Sequence, residues 1–280
     1  VPIMLLRNIC DEGQVLSREF LNSEDAIFHY TRKETVIEHI LGGELPQLRF
    51  GHFSGTNDPW EYRPKATTVS GFAPSGRDTM LDEAFWWVYR ILQQSRFLAF
   101  CTNRYGRDGD ISESGLLKPR MWAQYGENHW GVCLVLSKTD LEKSLKRDEN
   151  NLQEFLKSEV IYVDPDEQRI PGLPIDARRI RNHNLHEVAL QYVLDNKDVL
   201  YFRKARDFED EREYRVVYLN KMQHPTEEVF VTIRDALKGI VFGDRFPDQY
   251  RPAIVHLVEP LKLELRRVRW QNNAYVLTSL

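Results

Sequence analysis

The spacing of apolar residues divides the chain into short elements of two kinds. Strands are predicted where apolar residues alternate or run together briefly, and helices where they recur every three or four positions. The predicted strands and extended segments are 26–30, 48–55, 96–102, 129–136, 159–164, 213–219, 227–233 and 237–243, with a tail strand near 254–266. The predicted helices are 31–43, 81–94, 121–126, 138–158 and most of 176–204.

Strands and helices interleave without the strict alternation of a parallel α/β fold. The pattern therefore predicts the α+β class, with a mixed or antiparallel sheet core surrounded by helices. No composition break marks a linker, so we expect one domain over residues 26–266. Residues 1–25 then form an N-terminal leader, and residues 267–280 form a C-terminal tail.

Composition and charge narrow the function classes. A net charge of -4 over 280 residues and a pI near 6.1 do not support a general nucleic-acid binder, which needs many contacts from Lys and Arg to phosphates. The cysteines are odd in number and scattered, at Cys10, Cys101 and Cys133, which favours neither a disulfide framework nor a zinc cluster. We found no apolar run of membrane-spanning length and no secretory signal, so a cytoplasmic location is expected.

The segment DEREYRVVYL (210–219) places charges at the start of an otherwise apolar strand. Because side chains alternate along a strand, Glu211, Glu213 and Arg215 are predicted to share one face. Two carboxylates about 7 Å apart on one face suit the stabilisation of a cationic centre. The alternative is an exposed strand end with a local ion pair between Glu213 and Arg215, which would contribute little free energy.

The motif HYT lies where a strand is predicted to meet a helix. Thr31 and Glu34 form a capping box for that helix, which covers 31–43. His29 and Tyr30 therefore lie at the turn between the two elements. There, His29 either binds a ligand hydroxyl or is a half-buried imidazole bonded to the backbone.

The motif NDPWE (57–61) reads first as the beginning of a helix. Asp58 and Glu61 can accept hydrogen bonds from the free backbone N–H groups of the first helical turn. Pro59 between them is a residue that suits the first helical position. Asn57 is not needed for that capping.

Two further patterns have both a structural and a functional interpretation. Trp122 and Tyr125, three positions apart on a predicted helix, either stack on a planar ligand ring or pack in the core. The basic run 177–186 suggests a nucleic-acid-binding surface. A solvated helix face is the better interpretation, because the net charge of the whole chain is negative. The sequence carries no GxGxxG, GxxxxGK[ST], HExxH or GxSxG motif.

The order of these motifs along the chain resembles a bacterial family, the domain of unknown function numbered 2971. The resemblance covers residues 26–245 and rests on the following segments: HYT, NDPWE, RFLAFCT, MWAQYG with GVCLVL, EREYRVV and IVFG. Its name carries no activity, so the resemblance implies a family but no reaction. A role in bacterial stress or phage defence is an expectation from this resemblance alone.

A more remote similarity links the chain to ADP-ribosyltransferases of the H-Y-E type. In that superfamily a His-bearing strand, an aromatic residue and a late strand opening with Glu form the NAD site, within a split sheet. Here His29 is similar to the histidine of that strand, and Trp122 or Tyr125 is similar to the aromatic residue. Residues 211–213 are similar to the ExE turn of arginine-modifying members. The similarity implies NAD as the substrate and a macromolecular acceptor of unknown identity.

The similarity also implies roles for individual residues. Glu213 would stabilise the oxocarbenium-like ribose as the bond to nicotinamide breaks, and Glu211 would orient or deprotonate the acceptor. His29 would hold the adenosine-side ribose, and Tyr125 or Trp122 would stack on nicotinamide. Arg215 would keep Glu213 ionised or contact the pyrophosphate. The other residues assigned to the NAD site are Tyr30, Thr31 and Asn57.

Two other classes of function stay open at this point. A metal-dependent nuclease would use an oxygen-rich Mg²⁺ site made from Asp58, Glu61, Glu211, Glu213 and His29. A non-catalytic binding or sensing module would instead leave Glu211 and Glu213 pointing into solvent, paired with neighbouring arginines and without a cleft.

Overall fold

The computed structural model describes residues 15–62, 67–70, 79–147, 153–164, 173–176, 184–221 and 227–280. Within these ranges a central mixed sheet is flanked by helices and does not close into a barrel, which confirms the predicted α+β class. Cys10, most of the predicted leader and residues 177–183 of the basic run lie outside the described residues.

The described elements follow one another closely along the chain. The strands are β1 (Ala26–Thr31), β2 (Gln47–Arg49), β3 (Gly51–His52), β4 (Thr67–Ser70), β5 (Arg96–Cys101), β6 (Arg104–Tyr105), β7 (Ile111–Glu113), β8 (Val132–Ser137), β9 (Gln153–Glu159), β10 (Ile161–Val163), β11 (Leu173–Asp176), β12 (Arg203–Ala205), β13 (Glu213–Asn220), β14 (Phe230–Thr232), β15 (Leu237–Phe242), β16 (Glu264–Gln271) and β17 (Ala274–Ser279). The α-helices are α1 (Arg18–Leu21), α2 (Pro59–Tyr62), α3 (Thr79–Gln94), α4 (Pro119–Gln124), α5 (Lys138–Arg147), α6 (Leu185–Asp195), α7 (Lys197–Tyr201) and α8 (Arg251–Val258).

The central sheet has the strand order β17-β16-β15-β8-β1-β5-β13-β9, and β3 also pairs with β5. β15 and β16 are parallel, whereas the other neighbouring strands in this sheet are antiparallel. β1 is in register with β8 along its whole length, and β13 is in register with β5 from Glu213 to Tyr218. β1 and β5 share the single register pair Phe28↔Cys101. The sheet therefore opens between β1 and β5.

Apolar clusters cover both faces of the sheet. β8 and β13 are buried at every position, as expected for central strands. On one face, Val216 packs in a large cluster with residues of β1, β8 and β15. On the other face, Val217 packs against α3 and α6 through residues such as Val88 and Val188. The strand that carries the predicted charged residues is thus fixed from both sides.

The predicted capping box at the first helix is wrong. Thr31 is the last residue of β1 and pairs with Val132, so its backbone belongs to the sheet. Glu34 forms an ion pair with Lys33 at 2.8 Å. The helical segment that follows is a π-helix, Thr35–Ile40, rather than a long α-helix.

Three other predicted elements also differ from the structure. The helix predicted over 138–158 ends at Arg147, and Gln153–Glu159 forms β9, because pairing with β13 buries Phe155 and Leu156. The helical stretch predicted over 176–204 gives way to β12, which pairs with β10. The predicted tail strand begins as α8, and β16 and β17 continue the central sheet to Ser279.

None of the described helices combines the length and the hydropathy needed to cross a membrane. Cys101 and Cys133 are both buried and free.

Candidate functional site

A cavity of about 290 Å³ occupies the opening between β1 and β5. Most of its wall is apolar, and a few polar side chains converge on it, which is the usual composition of a small-molecule site. The lining residues are Phe28, His29, Tyr30, Arg49, Gly51, Gly55, Thr56, Asn57, Phe97, Leu98, Ala99, Phe100, Cys101, Met121, Tyr125, Lys204, Glu211 and Glu213.

His29 lies on β1 at the edge of this opening. Its Nδ1 is 3.1 Å from the carbonyl oxygen of Ala99 on β5, so the imidazole bridges the two strands where their backbones separate. Burial lowers the pKa of His29, and the bond to Ala99 opposes that change. The imidazole is therefore neutral at physiological pH, with one ring nitrogen used in the bond to β5.

A left-handed turn places Glu211 and Glu213 side by side. The 3₁₀ helix Arg206–Glu211 ends at Arg212, whose φ is 44°, and β13 begins at the next residue. Thr102, at the end of β5, fixes this turn because its backbone N–H and hydroxyl both donate to Arg212 O, at 3.0 and 3.1 Å. The turn therefore directs both carboxylates towards the same ammonium group.

That ammonium group belongs to Lys204 on β12. Lys204 Nζ donates to Glu211 Oε2 at 2.5 Å and to Glu213 Oε1 at 2.7 Å. Only 3% of the Lys204 side chain is exposed, and its Nζ also lies 3.9 Å from Glu61 Oε2. Burial alone would lower the pKa of Lys204, but the carboxylates around it raise the pKa instead. Lys204 therefore stays protonated between its partners.

Arg215 supports Glu213 from behind the cavity. Its Nε and Nη2 donate to Glu213 Oε2 at 3.0 and 2.6 Å, which is a bidentate contact. Its Nη1 donates to Glu61 Oε1 and to Tyr201 O, at 2.6 and 2.7 Å. The guanidinium is fully buried and does not line the cavity. Of its two predicted roles, the structure therefore favours the one on Glu213 over a contact with pyrophosphate.

Tyr125 and Asn57 extend the polar chain to the surface. The Tyr125 hydroxyl donates to Glu211 Oε1 at 2.7 Å and accepts from Asn57 Nδ2 at 2.8 Å. Burial, with help from the nearby Glu211, raises the pKa of Tyr125 far above its ordinary value. Tyr125 is therefore a hydrogen-bond donor to Glu211 throughout the physiological range.

The two glutamates have pKa values that move in opposite directions. Burial raises the pKa of Glu211, and Lys204 opposes this only in part. Burial would also raise the pKa of Glu213, but Arg215 and Lys204 outweigh it and lower the pKa below the ordinary range. The cavity thus contains one carboxylate that is ionised at physiological pH beside one that can exchange a proton.

Some of the residues predicted for the site lie elsewhere. Trp122 is a core residue: it is fully buried, donates from Nε1 to Leu116 O at 2.8 Å and packs edge-on against Tyr30. Thr31 does not line the cavity. Tyr30 does, but its hydroxyl points to the carbonyls of Gly115 and Leu116. Tyr125 is therefore the candidate for stacking on a ring.

Sequence reasoning missed Lys204 and the long-range partners of two acids. Lys204 falls in a segment predicted as helix, where nothing in the spacing distinguishes it. The sequence predicts both acids as helix caps, and the structure adds partners far along the chain: Glu61 Oε1 accepts from Arg215, and Asp58 Oδ2 accepts from Ala205 N at 2.9 Å. Both acids tie the NDPWE motif to the strands that hold the site.

The metal-dependent nuclease hypothesis requires these carboxylates to be free for a cation. Instead, Lys204 and Arg215 hold Glu61, Glu211 and Glu213. Within the described residues, no group of three or more His, Cys, Asp or Glu side chains is arranged to bind a metal ion. The signature expected of a binding module is met only in part: Arg215 pairs with Glu213, but Glu211 and Glu213 are buried and line a cavity.

Residues 121–216 match the family model described as Protein of unknown function (DUF2971), which supports the predicted resemblance to that family. The matched segment includes Tyr125, Lys204, Glu211 and Glu213, whereas His29 lies before it. Searches of curated proteins and of solved structures found no match to the chain.

Proposed function

We propose that this protein is an ADP-ribosyltransferase-like enzyme that cleaves the bond between nicotinamide and ribose in NAD. The observation that supports it best is the pairing of Glu213, kept ionised, with Glu211, whose pKa is raised, in one cavity with His29 and Tyr125. Two carboxyl groups whose pKa values are driven apart are typical of sites that need one charge and one proton carrier.

The reaction would use the two carboxylates in different ways. The bond between ribose C1′ and the nicotinamide nitrogen breaks, nicotinamide leaves with the electron pair, and positive charge develops on the ribose. Glu213 accepts a hydrogen bond from the ribose 2′-hydroxyl and stabilises that charge. An acceptor, which is either water or a group on a macromolecule, then bonds to C1′ and loses its proton to Glu211.

The other residues bind and orient. Tyr125 stacks on the nicotinamide ring while its hydroxyl holds Glu211, and His29 donates or accepts one hydrogen bond to a ribose hydroxyl with its second nitrogen. Arg215 keeps Glu213 charged and in place. The cavity volume, about 290 Å³, lies at the lower end of the range for ligand pockets, so the nicotinamide end of NAD would fill it and the adenylate would extend outwards.

Nicotinamide release from NAD tests this proposal. We expect the wild-type protein to release nicotinamide and Glu213→Gln to lose about 100-fold or more of that rate. Glu209→Gln is the matched control, because Glu209 is half exposed and meets Arg104 only at 3.9 Å on the surface. Glu211→Gln gives a second test that leaves the Arg215 contacts intact. A wild-type protein that is folded and binds NAD but releases no nicotinamide, with or without candidate acceptors, would refute the proposal.

A further inference from the structure

Lys204 is the residue on which the acidic part of the cavity converges. Its ammonium group contacts Glu211 and Glu213 at 2.5 and 2.7 Å, and Glu61 lies 3.9 Å away. Lys204 lies on β12, where it is in parallel register with Tyr162 of β10. The Tyr162 hydroxyl accepts a hydrogen bond from Glu213 N, so the pairing of β10 with β12 links Lys204 to the start of β13. Burying a charged lysine costs free energy unless the ammonium group is paired with acids and hydrogen-bonded.

The charges around Lys204 do not cancel without it. Glu61, Glu211 and Glu213 contribute three negative charges when ionised, while Arg215 contributes one positive charge and bonds only Glu61 and Glu213. Glu211 would then have no cationic partner among the described residues and would lie beside a second carboxylate. Like charges at such a separation raise the pKa of one of the two groups.

We propose that Lys204 is a positioning residue that holds Glu211 and Glu213 side by side and sets the pH range in which Glu211 accepts a proton. This inference rests on the proposed function, because it assigns Lys204 to the same reaction. Lys204 acts through the two glutamates. Its removal should therefore change the pH at which Glu211 takes up a proton, while the protein keeps its fold. The titratable and charged groups that face this cluster from the elements packed around it are Glu61 on α2, Cys101 on β5, Tyr125 directly after α4, Tyr162 on β10, Arg215 on β13 and His29 on β1.

The test compares Lys204→Met, which removes the charge, with Lys204→Arg, which keeps it. For Lys204→Met we expect the acidic limb of the pH profile of nicotinamide release to move to higher pH by about 1 to 3 units, the range for loss of one close opposite charge. For Lys204→Arg we expect a lower rate with the acidic limb within a few tenths of a unit of wild type. Lys143→Met is the control, since Lys143 is exposed and forms an ion pair with Asp140 at 2.8 Å on the surface.

A second measurement does not depend on turnover. Titration of the glutamate side-chain carboxyls by ¹³C NMR should place the Glu211 transition at higher pH in Lys204→Met than in wild type, with no such change in Lys143→Met. If wild type releases no nicotinamide, the proposed function fails, and the NMR titration alone decides the role of Lys204. An unchanged Glu211 titration in folded Lys204→Met, or an equal shift in Lys204→Arg and Lys204→Met, would overturn the inference even if nicotinamide is released.

Discussion

Arg215 donates a hydrogen bond to Glu61 Oε1 at 2.6 Å across 154 positions of sequence. This contact joins the short helix α2 to the strand that begins with Glu213. The residues just before α2 are fixed as well, since Asp58 binds the backbone of Ala205 and Asn57 binds Tyr125. The first and last thirds of the chain thus meet at the acidic wall of the cavity.

The first prediction concerns the stability that this contact provides. Glu61→Gln should lower the free energy of unfolding by about 1.5 to 3 kcal/mol, because a charge-assisted hydrogen bond to a fully buried guanidinium is weakened. Glu228→Gln is the comparison. Both side chains of its ion pair with Arg49 are exposed, so that pair should contribute less than about 1 kcal/mol to the free energy of unfolding. Urea unfolding measures both, and equal losses in the two variants would contradict the buried pairing.

The second prediction concerns the hydroxyl of Tyr125. Tyr125→Phe keeps the ring but removes the hydroxyl that donates to Glu211 Oε1 and accepts from Asn57, so nicotinamide release should fall by about ten-fold or more while the fold is retained. Tyr105→Phe is the control: it removes a hydroxyl that donates to Asn22 O, and Tyr105 does not line the cavity. If both variants turn over NAD at the wild-type rate, Tyr125 has no role in orienting Glu211.

The third prediction separates the two aromatic residues of the MWAQYG segment. Trp122→Phe should destabilise the protein by about 1 to 3 kcal/mol, because it removes buried volume and the bond to Leu116 O. Binding of NAD by the folded variant, measured by calorimetry, should stay at the wild-type level. A loss of affinity without a loss of stability would instead put Trp122 in the ligand site. Trp270→Phe, at a half-exposed position, is the control and is expected to change neither the stability nor the affinity for NAD.

The fourth prediction is a pH dependence of stability. Burial raises the pKa of Glu211 from 4.5 to about 7. A group whose pKa is raised by folding contributes stability below its unfolded value, and that contribution is lost as the pH rises through the folded value. Wild type should therefore lose stability between pH 4.5 and about 7 relative to Glu211→Gln, whose side chain does not titrate. Thermal unfolding across that range tests this, with Glu209→Gln as the control, and parallel curves for wild type and Glu211→Gln would contradict it.

The elements with strong local patterns could be predicted from the sequence. β1, α3, β5 and β13 lie within two residues of their predicted positions, and β8 begins three residues later than predicted. Each has a continuous or periodic apolar pattern that matches its burial. The helix predicted over 138–158 is wrong over residues 153–158, which belong to β9. Phe155 and Leu156 are buried there by pairing with β13, and local propensity carries no information about such a tertiary contact.

The site could be predicted only where alternation along one strand sufficed. Glu213 and Arg215 share a face as expected, and both are buried rather than exposed at a strand end. The role of Lys204 could not be foreseen, because it depends on a parallel pairing between two three-residue strands. Likewise, the capping interpretation of Glu61 was locally reasonable, and only the position of Arg215 shows what Glu61 binds.

The most direct test of the account is a crystal structure of Glu213→Gln with NAD, since this variant should bind the dinucleotide without consuming it. We predict the nicotinamide ring against Tyr125 and the ribose 2′-hydroxyl within hydrogen-bond distance of residue 213, in the opening between β1 and β5. NAD bound at another surface, with that opening empty, would contradict the account.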